Sequence, residues 1–419
     1  MTVRHPPTAL QDPIALDALN ALADLDSAAA DQWLATLTQD FSVSAGALDL
    51  DAIFPHDNLA RLRSAGLLAL TVPQALGGRQ ATLPQVLKVV RAVARGEPST
   101  ALILVMQCLY HLRLQANPNW PQALKEQVAR DAVENGALIN SLRVEPELGS
   151  PSRGGLPGTI GRLTDSGDAW ILNGSKIYST GSPGLTWFAV WGRTDETSPR
   201  VGTFLVHRDT SGIRFGEPWN HLGMRATGSH EVIFENVRVP AAHAVDLNSP
   251  EIAASGMDPL TTLWMNVLLS SIYDGVARSA RDWFASWATD RKPANLGAPL
   301  SSLGSFQQTL GRIDALLLNN RVLLDAGSHG NIPLHDAPAI KYLVTQNAIT
   351  AVELAVEASG NPGLSRNNAL ERHHRDVLCS RIHTPQNDAL LGAFGRAGFA
   401  GFAASAALQA KQSLQGAPQ

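Results

Sequence analysis

The chain is short of several things, and each shortage closes a class of function. Two cysteines, Cys108 and Cys379, are too few for a disulfide framework and too far apart for a Cys-x-x-Cys metal site. They read as reduced, partly buried thiols. Only 17% of the residues are charged, the formal net charge is −4, and Lys and Arg are scattered without a basic run. No global field therefore favours nucleic acid or an acidic membrane. There is no apolar run of about 18 residues and no leader-like pattern at the start, so neither a membrane span nor export is expected. The expectation is a soluble, cytoplasmic chain. His-Glu-x-x-His, a P-loop and Gly-x-Ser-x-Gly are all missing, and so is a glycine-rich turn between strand and helix. No metal ligand set is expected, and the hydrolase and dinucleotide readings lose their support.

What is present is a change of texture along 419 residues, enough for two or three domains. Residues 13–135 carry apolar side chains at three and four spacing and read as helices, with Ser99-Thr100 as an N-cap. "GLLALTVPQALGG" between them reads as a loop that packs inward. From residue 137 to 245 the segments are short, β-rich and punctuated by Gly, Pro, Asp and Asn, which predicts a small sheet or barrel. Helical periodicity returns after residue 258, broken mainly by "KPANLGAPLSSLGS". The expected fold class is α+β in three parts: helices over 1–136, a β-domain over 137–245 and a helical bundle over 246–419.

Four stretches of the β-region come in a telling order: "RVEPELGS" (143–150), "WILNGSKIYSTG" (170–181), "WFAVWGRTD" (187–195) and "HLGMRATGSHEVIFENVRVP" (221–240). With "GNPGLSRNNALERHHRD" (360–376) they resemble the acyl-CoA dehydrogenase superfamily over nearly the whole chain. The resemblance implies N-terminal helices, a central β-domain, a C-terminal four-helix bundle, a homotetramer, and a flavin between the β-domain and the C-terminal helices. It puts Leu142, Val144 and Ser150 at the flavin's pyrimidine end, with Val144 lacking the family's threonine hydroxyl. It lines the ring with Tyr178, Ser179 and Thr180. A flat heterocycle needs such an aromatic wall and a few hydrogen-bonding groups at its rim. Arg291 and Gln307 correspond to residues that hold an adenosine half, but the family's phenylalanine is absent and the loop is longer, so FMN and FAD both stay open. Gly360, Asn361 and Gly363 form the flavin loop, with Asn361 in place of a glycine.

The family's usual base is missing. Removing a proton alpha to a thioester carbonyl needs a nearby carboxylate, and its place holds Thr384 in "IHTPQ". A second family position for that acid falls near Met265. Asp258 and Asp274 are the nearest carboxylates in sequence, and neither matches. "IHTP" instead resembles the two-component, dibenzothiophene-type monooxygenase branch, which uses reduced flavin from a separate reductase and O2. That branch implies catalytic roles for His383 and His111 on a small sulfur-, nitrogen- or ring-bearing organic substrate. By helical spacing Arg372, Arg375, Asp376, Cys379 and His383 share a face, and Pro385 leaves His383 in a last turn, where imidazolium is favoured. Alternatives are a capping role for His383 and a core role for His111. His373 and His374 read as exposed. At the level of the whole chain, an acyl-CoA dehydrogenase with a relocated base and a non-catalytic flavin-binding scaffold stay open.

Overall fold

A computed structural model describes residues 13–148, 155–253 and 258–415. Six helices come first: α1 (Pro13–Ala21), α2 (Ala28–Leu50), α3 (His56–Ser64), α4 (Leu83–Gly96), α5 (Pro98–Ala116) and α6 (Gln122–Asn135). Eight strands come next: β1 (Leu138–Leu142), β2 (Ile160–Leu163), β3 (Ala169–Lys176), β4 (Leu185–Thr194), β5 (Val201–His207), β6 (Ile213–Phe215), β7 (Val232–Pro240) and β8 (Ala244–Asn248). The rest is helical again: α7 (Pro250–Ala253), α8 (Pro259–Asp290), α9 (Gly304–Ser328), α10 (Ala337–Ser359), α11 (Asn361–Leu364), α12 (Ala369–Leu378) and α13 (Asn387–Gln415).

Local chemistry explains the helix boundaries. A capping box between Thr82 and Gln85 starts α4, which buries Val86, Leu87, Val90 and Val93 on one face. Pro98 stands in the first turn of α5, where a missing N–H costs nothing. The N-cap there is Glu97 rather than Ser99 or Thr100: its carboxylate accepts from the N–H groups of both. The hydroxyls expected to cap are already inside the first turn, because Pro98 moves the start upstream. Asp258 caps α8 in the same way through Thr261 N. The "GLLALTVPQALGG" segment packs inward as expected, burying Leu67, Leu68, Leu70 and Val72.

The strands form one sheet in the order β6-β7-β3-β2-β4-β5-β8, with β1 parallel to β4. Alternation decides which face is covered. A single apolar cluster runs through all three parts of the chain, joining Leu104 and Val90 to Phe188 and Phe234 and to Val267, Ile272 and Val344. A smaller one, with Tyr110, Trp120, Ile139 and Trp187, seats α5 and α6 on the sheet.

Two polar contacts set the spacing of the parts. The first is Glu145, just after β1, with Lys176 at the end of β3, 2.5 Å apart and both buried. Glu145 also accepts from Gly158 N at 2.6 Å, Thr159 N at 3.0 Å and the Thr159 hydroxyl at 2.7 Å. Burial alone would raise this carboxyl, but Lys176, Thr159 and Gly158 together hold it below its ordinary value. The second joins three regions. Arg375 of α12 pairs with Asp49 at the end of α2 at 2.6 Å, with Glu371 at 2.8 Å, and with the Leu222 carbonyl at 2.9 Å. Gly223 then lies so close to the Arg375 carbonyl that a Cβ there would stand 2.4 Å from it. Glycine is required by the approach of two backbones.

Lys176→Met leaves a buried carboxylate without its counter-charge and should destabilise by about 3–5 kcal/mol. The paired variant Glu145→Gln with Lys176→Met should recover part of that loss. Urea unfolding followed by circular dichroism measures both, and equal stability of wild type and Lys176→Met would show that the pair does not hold the domain together.

Candidate active site

The "EP" and "KIYST" segments meet as the sequence motifs require. The Ile177 N–H donates to the Val144 carbonyl at 2.9 Å, beside the Glu145–Lys176 pair. Just beyond, Tyr178 takes a left-handed φ of 56°. That conformation is costly for a bulky residue. It leaves the ring 54% exposed, edge-on to Trp219 at 6.0 Å and near His221 at 5.8 Å. Thr180 and Ser229 share a hydroxyl contact of 2.9 Å, and Asn140 Nδ2 donates to the Thr180 carbonyl. A broad aromatic surface with hydroxyls at its edge is thus built on the end of β3 and the 221–230 loop. Trp219 and the side-chain role of His221 do not stand out in the sequence, because nothing local in "PWNHLG" places them beside Tyr178.

Other expected contacts fall differently. Leu142 is a core side chain on β1, so only its backbone is open to a ligand. Ser179 is buried and its hydroxyl donates to the Lys176 carbonyl, so it turns inward instead of lining a ring. The positive φ of Tyr178 is what separates these neighbours. Ser150 lies outside the described residues. Arg291 is exposed at the end of α8, and Gln307 is exposed with its amide donating to the Ser301 carbonyl. Gly360 turns the chain with a φ of 63°, Asn361 is exposed, and Gly363 is buried against Ser359 and Val356.

The histidines depart most from expectation. His383 lies beyond α12 and a short 3-10 turn, next to the cis Thr384–Pro385 bond. It is half-buried, and its Nδ1 lies 2.9 Å from the Tyr273 hydroxyl of α8. Burial, aided by the nearby Lys341 ammonium, pushes it down to about 4. The expected imidazolium is corrected: loss of solvent outweighs the helix end. His373 is buried and pushed to about 3, not exposed, because α12 turns it into the core. His111 is buried on α5, at about 4 by burial. The Gln107 amide nitrogen is 3.1 Å from His111 Nε2, while Gln107 Oε1 accepts from Ile139 N. The same amide nitrogen donates its two protons to the Leu68 and Ala137 carbonyls at 3.2 and 3.0 Å, and His111 Nδ1 has no partner among the described residues. His111 and His383 share no hydrogen bond or ring contact: one stands at the α5–β1 junction, the other against α8.

The candidate carboxylates are all engaged. Asp274 is fully buried and bound by Arg278 and Asn320. Asp376 accepts from Met224 N at 2.6 Å, and burial lifts its carboxyl to about 7. Asp258 caps α8. Thr384 is exposed and Met265 half-buried. The shared face of α12 is the clamp of Arg375 on Asp49 and Asp376 on Met224.

Family models for the N-terminal, middle and C-terminal domains of acyl-CoA dehydrogenases match residues 31–119, 145–237 and 255–397. A putative acyl-CoA dehydrogenase of Bacillus subtilis, YdbM, is 32% identical over 376 residues, 86% of this chain and 94% of its own. Among solved structures, butyryl-CoA dehydrogenase from Megasphaera elsdenii has a TM-score of 0.76 at 21% identity, over 95% of this chain and all of that one. FMN-bound TdsC from Paenibacillus sp. A11-2 has 0.77 at 18%, over 90% and 96%. The chain belongs to the acyl-CoA dehydrogenase superfamily, a superfamily of flavoproteins.

The residues present fit a flavin's ring system better than its tail. Tyr178, held outward at a strained φ, offers the flat wall, and Thr180 with Ser229 offers hydroxyls. Arg291 and Gln307 on one chain alone make no comparable cradle.

His111, His373 and His383 enter the folded state neutral, whereas unfolded histidines titrate near 6.5. Their stabilising contribution is therefore fully present above about pH 6.5 and is lost as pH falls toward 4. Asp376 acts in the opposite sense, gaining stability as pH falls from about 7 toward 3.8. Three losses outweigh one gain, so the urea midpoint should drop between pH 6.5 and 4.5. In His111→Gln the slope should be shallower by up to about 1.4 kcal/mol per pH unit, one proton's worth. An unchanged slope would mean that His111 charges in the native protein.

Proposed function

We propose that this chain is the oxygenase component of a two-component system: it receives reduced FMN or FAD from a separate reductase and oxygenates a small organic substrate with O2. The substrate class is a sulfur, nitrogen or aromatic compound, and the working form is a homotetramer. Bound reduced flavin supplies two electrons with which dioxygen delivers one atom to the substrate and one to water.

The observation that carries this reading is the lack of a usable carboxylate among the described residues of the site. Dehydrogenation of a thioester needs a base beside the α-carbon. Thr384 stands at that position, Met265 at the other, and Asp376 and Asp274 are sealed in structural contacts. A histidine pushed to about 4 is too weak a base to replace them. As a neutral donor, His383 suits an oxygen atom that is gaining charge. Tyr178, Thr180 and the backbone at Leu142 and Val144 would hold the ring, and Gly360, Asn361 and Gly363 would supply the C-terminal loop; the family resemblance adds Ser150 to the ring contacts. TdsC, itself similar in fold, binds FMN.

A second reading, an acyl-CoA dehydrogenase with a relocated base, is favoured by the 32% identity to YdbM, which carries that name provisionally. The two readings separate in one cuvette. With oxidised holoenzyme under anaerobic conditions, straight-chain acyl-CoA should leave the flavin absorbance unchanged for minutes, since a missing base costs about 10²–10⁴-fold. Bleaching within seconds would install the dehydrogenase reading. His383→Ala should lower the yield of oxygenated product per O2 consumed by about tenfold, roughly 1.4 kcal/mol, with flavin affinity little changed.

The tetramer is supported by apolar side chains left in solvent on the C-terminal helices: Leu318, Val322, Leu343, Phe399 and Phe402. Patches of this kind mark interfaces. Light scattering at micromolar concentration should give four chains, and a stable monomer would contradict the assembly.

A further inference from the structure

The bond between Tyr273 and His383 decides more than where the imidazole sits. Tyr273 lies in the middle of α8 and is 1% exposed. Its hydroxyl has a single hydrogen-bond partner among the described residues, His383 Nδ1 at 2.9 Å. A hydrogen bond between these two atoms can run either way. If Nδ1 carried the proton, it would donate to the phenol oxygen, and the phenol's own proton would be buried without an acceptor. Such an orphan costs about 1–3 kcal/mol. If the phenol donates and Nδ1 is bare, one bond satisfies both groups.

We infer that Tyr273 is a positioning residue that fixes His383 in the tautomer carrying its proton on Nε2. The inference rests on the reading of His383 as a flavin-site residue. It also restricts what can be seated there. An Nε2–H donor accepts nothing and removes no proton, so the substrate or oxygen atom that meets it must be a hydrogen-bond acceptor.

Burial and the Lys341 ammonium keep the ring neutral. Lys341 of α10 is fully buried and donates to the Ser380 carbonyl at 2.9 Å and to Asn387 Oδ1 at 2.6 Å, bracketing the segment that carries His383. Its ammonium opposes a second positive charge on the imidazole. Asp376 and Cys379 approach Tyr273 from α12 and its end; both are pushed up by burial, as is the phenol itself. Asp388 faces Lys341. Lys341 is thus a second positioning group, acting through the loop backbone and through its charge.

The test reads protonation directly, without turnover. Flavin-free full-length protein is labelled with 15N-histidine and studied by magic-angle-spinning NMR at pH 7 and 5.5. The His383 signals are assigned by their loss in His383→Gln. The expected result is one neutral Nε2–H tautomer at both pH values. In Tyr273→Phe the Nε2–H to Nδ1–H ratio should fall at least about tenfold, the worth of one hydrogen bond. An Nδ1–H tautomer or an imidazolium in the wild type overturns the assignment. So does an unchanged ratio in a Tyr273→Phe protein whose melting remains cooperative. If Tyr273→Phe does not fold, the wild-type tautomer still decides. Failure of oxygenation assays would leave these spectra unaffected, so the two ideas fail separately.

Discussion

The buried pair of Glu145 and Lys176 is the constraint on which the site depends. An isolated carboxylate or ammonium in that position would be driven to neutralise. Together, with Thr159 and Gly158 as further donors to the carboxylate, they remain a bound unit. Their effect is geometric. Glu145 belongs to the segment after β1 and Lys176 to the end of β3, whose next residues, Tyr178 and Thr180, form part of the aromatic and hydroxyl surface. Val144 and Ile177 then bond across the gap, and Tyr178 is forced outward into a left-handed turn. A buried ion pair is weak evidence for extra stability, but here its geometry sets register between segments about thirty residues apart.

The second constraint holds that surface against the helices. Asp49, Arg375 and Glu371 form a half-buried charge network that reaches the 221–225 loop through the Leu222 carbonyl and Arg225. Asp376 continues it by accepting from Met224 N. The loop bearing His221 and Ser229 is therefore tied to both the first and the last helical region. The charged face of α12 is thus engaged between domains.

Among the described residues the site has no free carboxylate. Its two candidate histidines are neutral for the same reason, removal from water. Tyr273 keeps His383 bare at Nδ1. Each ring lies against one side chain of a long helix, Gln107 of α5 or Tyr273 of α8. A site of neutral donors and aromatic walls favours polar atoms that gain charge during reaction over carbons that must lose a proton.

Much of this was legible in the sequence. Hydrophobic period separated helices from strands, and the order of the Glu-Pro, Lys-x-x-x-Thr and Arg-Asp motifs located the family, because such patterns are local. That Thr384 stands where the resemblance implies a carboxylate was also visible, being a matter of identity at one position. Charge states were not. Spacing placed His383 at a helix end and predicted a cation, whereas burial against α8, aided by the Lys341 ammonium, makes it neutral. Ser179 and Tyr178 looked alike as ring contacts until a left-handed φ sent one inward and the other out. Trp219 and His221 became part of the wall only when the loop was clamped to α12. Sequence by itself determined the elements and the missing group, since both depend on residue type and short-range order. Only the tertiary structure decided protonation, orientation and pairing, since these depend on which distant groups exclude water and which donate into the space that remains.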